Sequence, residues 1–142
     1  MGYGSTEKTG RIKMTNSKGK IPKKYQKSNV KKYDLEERTA RFGEAIIEFV
    51  KNLPHNLINN ELIPQLVSSG TSVGANYMEA DGAESKKDFK HKMSICKKES
   101  KETKHRLRMI AKANPSKKRQ CRELWTEAHE LTLIFSSITK SR

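Results

Sequence analysis

Apolar residues recur at intervals of three, four and seven from Leu35 onward and nowhere alternate at two, so the chain reads as helices without strands. In the first helix Leu35, Phe42, Ile46, Phe49, Val50 and Leu53 share one face. Asp34 with Glu37 forms a capping box at its start, and Pro54 stops it after about Leu53. The second is predicted from about Glu61 to Ala80, with Leu62, Leu66, Val73 and Tyr77 inward. Pro64 then falls in the first turn, where its missing N–H is harmless, and Asp81 and Gly82 break the chain. The third is capped by Ser85, with Asp88 three residues on. Its Phe89, Met93, Cys96, Ser100, Thr103, Leu107 and Ile110 step alternately by four and three, a seam for partner helices. Asn114 and Pro115 end it. Ser116 is the predicted cap of a fourth helix carrying Cys121, Leu124, Ala128, Leu131, Phe135 and Ile138.

Short links force consecutive helices to reverse, which predicts an all-α, antiparallel up-down four-helix bundle over residues 34–142. The same register sets Cys121 level with about Met109, leaving Cys96 about 20 Å away at 1.5 Å per residue. A disulfide between them is geometrically excluded, and both are expected as core thiols.

Charge divides the chain differently. Residues 1–33 hold ten basic groups and one acid, for a net of +9, with Gly2, Gly4, Gly10, Gly19 and Pro22 and too few apolar residues to offset the entropy of ordering. This segment is expected to be a disordered basic arm. Met14 offers a second start, so residues 1–13 stand as a candidate upstream extension. Residues 34–84 are net −6, residues 85–113 net +8 and the remainder net +3, giving +14 overall. A hydrophobic share of 33% is below the roughly 45–50% of average globular chains. No run approaches a membrane span and the start lacks the apolar block of a secretory signal, so a cytoplasmic protein without a membrane partner is expected.

The string SGTSVGANYMEA, Ser69 to Ala80, is the least ordinary. Gly70 and Gly74, with Ala75 and Tyr77, make a face with little side chain. Each glycine costs about 1 kcal/mol inside a helix, so another backbone is expected close by, in the bundle, in a neighbouring subunit, or as a phosphate chain. This string, with YDLEERTARF (Tyr33–Phe42), SKKDF (Ser85–Phe89) and KKESKET (Lys97–Thr103), resembles the four-helix-bundle proteins encoded in intervening sequences of bacterial 23S ribosomal RNA genes. The likeness spans about residues 33–140. It implies a homopentameric barrel and kinship with the accessory protein of diversity-generating retroelements, which works with a reverse transcriptase. Where many members carry an aromatic pair after the KET segment, this chain has His105 and Arg106.

The candidate binding residues lie on the third helix: Lys86, Lys87, Lys90, Lys97, Lys98, Lys101, Lys104, Arg106, Arg108 and Lys112, offset only by Asp88, Glu99 and Glu102. Such a surface attracts polyanions, and the expected partner is nucleic acid, RNA more than DNA, without strong sequence discrimination because few aromatics (Tyr25, Tyr33, Trp125) are available to read bases. The competing expectation is that these lysines are neutralised by Glu36, Glu37, Glu44 and Glu48 of the first helix. A di-iron site needs two Glu-x-x-His pairs, and Glu102 with His105 supplies one. Arg122 and His129, seven apart beside Trp125, match the Arg-x6-His spacing of metal-independent helical ribonucleases, whose histidine would serve as acid or base. The primary expectation is a non-enzymatic nucleic-acid-binding bundle with no cofactor, metal or catalytic residue. An accessory or scaffold subunit of a reverse transcriptase and a helical ribonuclease are the alternatives.

Overall fold

The computed structural model of the chain describes residues 32–141, with side chains from Leu35 onward. It contains four helices, α1 (Lys32–Val50), α2 (Leu57–Asp81), α3 (Lys86–Ala113) and α4 (Lys118–Lys140), with a 3-10 turn at Pro115–Lys117. The basic arm expected over residues 1–33 lies outside the described residues up to residue 31, while Lys32 and Tyr33 belong to α1. Helices adjacent in sequence are adjacent in space, and α4 meets α1 more loosely to close an up-down four-helix bundle. As a result α3 sits between α2 and α4, diagonal to α1.

The periodic apolar positions supply the core. Phe42 and Ile46 of α1, Leu66, Val73 and Tyr77 of α2, Met93, Cys96, Leu107 and Ile110 of α3, and Leu124, Leu131 and Phe135 of α4 are all buried. The polar members of the α3 seam are buried too: Ser100 Oγ donates to the carbonyl of Cys96 (2.9 Å), and Thr103 Oγ1 lies 2.9 Å from Ser69 Oγ. Near the α1–α2 link, Asn59 and Asn114 exchange side-chain amide hydrogen bonds of 2.9 Å, tying the start of α2 to the end of α3. Cys96 and Cys121 are free and buried.

Several helix ends depart from the sequence expectation. α1 begins at Lys32, two residues ahead of Asp34, whose side chain lies outside the described residues, and gives way to a turn before Leu53. α2 begins at Leu57 rather than Glu61, because Asn56 caps it by accepting the Asn59 N–H at 2.8 Å. Pro64 is therefore the eighth helical residue, not a first-turn one, and the carbonyl of Asn60 has no N–H to accept from it. Ser85 caps α3 as expected, accepting the Asp88 N–H at 3.0 Å. Ser116 does not cap α4: Pro115 starts a 3-10 turn closed by Lys117 N–H to Asn114 O (2.8 Å), and Lys117 takes the cap position without a side-chain bond.

α1 and α2 approach closely at their glycines. A Cβ at Gly70 would stand 2.9 Å from Ile46 Cγ1, one at Gly74 would stand 3.2 Å from Thr39 Oγ1, and one at Gly43 would reach only 3.5 Å from Thr71 Cα. The looser α1–α4 seam is joined by a buried polar network. Arg38 donates to Glu127 Oε2 (2.6 Å) and Oε1 (2.9 Å), and to Glu130 Oε1 (2.7 Å). Burial pushes the Glu127 carboxyl above its ordinary range despite the pull of Arg38.

Candidate nucleic-acid interface

α3 buries its seam and turns the rest of its circumference outward. At about 100° per residue, nine of the ten predicted cations, all but Arg106, fall within an arc of about 120° on the flank toward α4. Asp88, Glu99 and Glu102 lie on the opposite flank with Arg106, toward α2. There Arg106 Nη1 donates to Gln65 Oε1 at 3.1 Å, and Lys92 pairs with Glu79. Burial first, and then the neighbouring charge of Glu102, pushes the Glu99 carboxyl upward.

None of the ten cations pairs with a carboxylate among the described residues. The glutamates of α1 serve their own helix instead: Glu37 holds Arg41 at 2.9 Å and Glu48 holds Lys51 at 3.4 Å. The diagonal position of α3 accounts for this, since it packs chiefly on α2 and α4 rather than on α1. Lys86, Lys87, Lys98, Lys101, Arg108 and Lys112 are exposed; Lys90, Lys97, Lys104 and Arg106 are half-buried.

The antiparallel register of α3 and α4 extends the cationic surface beyond the predicted set. Lys118, Arg122, Trp125 and His129 recur at four, three and four on the α4 flank that faces α3. Arg108, Lys118, Arg122 and Trp125 line a groove of about 450 Å³ between the two helices, with Leu107, Ala111 and Cys121 in its floor. At its end Lys104 Nζ lies 3.0 Å from His129 Nδ1 and 5.1 Å from the centre of the Trp125 ring. The Trp125 and His129 rings stack at 5.1 Å with an interplanar angle of 14°. An ammonium has only donors, so Nδ1 is the accepting atom of this contact. From the sequence Lys118 was not named, Arg122 entered only in a candidate ribonuclease pair and Trp125 only as one of few aromatics available to read bases; pairing the two helices about the Asn114–Lys117 turn would have placed all three on one surface with α3.

The remaining predicted residues occupy other places. Gly70 and Tyr77 are buried, Gly74 is half-buried and Ala75 is exposed. Gly74 and Ala75 belong to a shallow groove of about 360 Å³ between the outer faces of α1 and α2, where Ile47 and Met78 are also exposed and Glu36, Glu37 and Glu44 form the rim. Arg122 and His129 are two turns apart, about 10 Å along the helix. Among the described residues, no group of three or more His, Cys, Asp and Glu converges as a metal site. No helix among them is long and apolar enough to cross a membrane.

Fold and surface together define a small all-helical bundle with one strongly cationic flank and no metal-ligand cluster among the described residues. The chain belongs to the 23S rRNA-intervening sequence protein family, whose model matches residues 31–137. Its fold is similar to that of a protein of unknown function from the S23 ribosomal protein family of Bacteroides thetaiotaomicron VPI-5482, solved by crystallography. The two are 27% identical, with a TM-score of 0.67 over 78% of this chain and 98% of the other. No curated protein matches the chain.

Proposed function

We propose that the protein is a non-enzymatic RNA-binding bundle that holds phosphates along the α4-side flank of α3 and the adjoining flank of α4. The observation that carries this reading is the one-sided, carboxylate-free set of α3 cations. Solvated lysines scattered around a helix would gain little from a polyanion, whereas a continuous stripe releases a condensed counterion for each phosphate it meets. The geometry suits backbone contacts, which position a nucleic acid without reading its sequence.

Self-association is part of the proposal. The α1/α2 groove exposes Ile47 and Met78 inside an acidic rim, while the cationic stripe lies on another side of the bundle. A contact through the exposed Ile47 and Met78 leaves the cationic stripe free, and a heterologous contact closes into a ring when its rotation allows. The family resemblance sets the expected number at five. A ring repeats the stripe and multiplies the phosphate contacts available to one RNA.

The test is binding of a labelled RNA at two salt concentrations, alongside the mass in solution. An affinity that falls at least tenfold between about 50 and 200 mM salt, with a mass of five chains, is the expected result. Salt-insensitive binding, or none, contradicts the proposal.

A further inference from the structure

Trp125 departs from the pattern of its own bundle. Phe42, Tyr77 and Phe135 are buried, but the Trp125 side chain remains 38% exposed at the edge of the α3/α4 groove. Its orientation is nonetheless fixed. His129 stacks on it from the next turn of α4, and Lys104 reaches it from α3 while also binding His129, so two helices hold one indole. A ring held this way loses little further freedom when a second flat group settles on it. The residues lining the groove beside it include Arg108, Lys118 and Arg122 and no carboxylate.

A cationic channel beside an exposed, pre-oriented aromatic ring is the combination that single-stranded nucleic acid needs. Phosphates follow the charges, and an unpaired base offers a flat face of similar size to the indole. A duplex meets only half of it, because its bases are already stacked on one another and present no free face. The carboxylates of an acidic peptide would satisfy the charges but offer no flat face to the ring.

We infer that the α3/α4 groove is a single-strand subsite, in which one unpaired base stacks on Trp125 while its flanking phosphates lie against Lys104, Arg108, Lys118 and Arg122. This rests on the RNA-binding reading above and adds to it a preference for unpaired RNA, lodged at one residue. The preference tolerates any base, since every base has a π face.

Trp125 is the single tryptophan of the chain, so its fluorescence reports on the subsite alone. The full-length protein is titrated with an oligouridine strand, with an RNA duplex of the same length, and with a polyglutamate peptide, and each is also followed by anisotropy of the labelled ligand. Saturable quenching by the single strand and little by the duplex is expected. Trp125→Leu should lower the ratio of single-strand to duplex affinity by roughly 5- to 150-fold, the range that follows from stacking on one aromatic residue. Trp125→Phe, which keeps a ring, should retain most of the preference, and that rescue separates stacking from a loss of packing. Equal quenching by strand and duplex, polyglutamate quenching as tight as RNA, or an unchanged ratio in Trp125→Leu each overturns the subsite. If both RNAs bind with steep salt dependence but the indole does not respond, the subsite fails and the RNA-binding surface stands; if neither RNA binds, both fail.

Discussion

Substituting the three helical glycines by alanine one at a time turns the α1–α2 contact into a measurable order. Alanine is favoured over glycine in a helix by about 0.8–1.0 kcal/mol, and that gain is common to all three sites. What differs is the space. At Gly43 the new methyl meets Thr71 at 3.5–3.6 Å, an ordinary contact, so Gly43→Ala should stabilise by about 0.4–1 kcal/mol. At Gly70 it would meet Ile46 Cγ1 at 2.9 Å and Cγ2 at 3.3 Å, on a side chain that is fully buried and has nowhere to swing. Overpacking of this kind costs about 1–3 kcal/mol, so the net is a loss of about 1 kcal/mol. At Gly74 the contact is Thr39 Oγ1 at 3.2 Å, and that hydroxyl is held by its 2.8 Å bond to Leu35 O, so the two effects should nearly cancel. Urea unfolding followed by circular dichroism, at one protein concentration because self-association adds to apparent stability, should rank the variants Gly43→Ala, Gly74→Ala, Gly70→Ala from most to least stable. If Gly70→Ala proves as stabilising as Gly43→Ala, the close packing of Ile46 on α2 is refuted.

Three further outcomes follow from the buried groups. Arg38→Met should destabilise the bundle by about 3–5 kcal/mol at neutral pH, because it strands the buried Glu127 carboxylate. Burial already holds that carboxyl above its ordinary range, so the variant's deficit should shrink as pH falls through the carboxylate range and Glu127 takes up a proton, which paired unfolding curves at neutral and acid pH would show. Burial pushes the Cys96 thiol up to about 12 and the Cys121 thiol up to about 11, so neither should react with a thiol reagent near pH 8 until urea unfolds the chain; prompt labelling of the native protein would contradict their burial. The same upward shifts mean that the unfolded chain loses thiol protons first, so these two residues should withdraw stability as pH rises from the ordinary thiol range toward 11–12.

The core was legible because a 3.6-residue period is a direct record of one buried face. Met93, Cys96, Ser100, Thr103, Leu107 and Ile110 could be named inward from spacing alone, even though two of them are polar. The start of α2 was not legible, since Leu57 and Ile58 are apolar yet exposed and the signal lay in an asparagine cap. Nor was the Arg38 network. Arg38 stands among charged residues that read as a solvated face, and only its alignment with Glu127 on a helix 89 positions away buries it. The cationic stripe was readable from composition and helical spacing, but its freedom from the α1 carboxylates depends on α3 lying diagonal to α1, a property of the assembled bundle. The groove beside it required two helices in register, and single-helix periodicity carries no information about the neighbour.

The most direct test of the RNA-binding account is the salt slope of binding by the wild-type chain compared with a variant carrying Lys90→Gln, Lys97→Gln, Lys101→Gln and Arg108→Gln. Each single-strand phosphate contact adds about 0.7 to the slope of log affinity against log salt. If those four side chains hold phosphates, the variant should bind more weakly with a slope flatter by up to about 3, while deletion of residues 1–31 should leave the α3-dependent part of the slope in place. An unchanged slope and affinity in the four-site variant would show that the α3 flank is not where RNA is held.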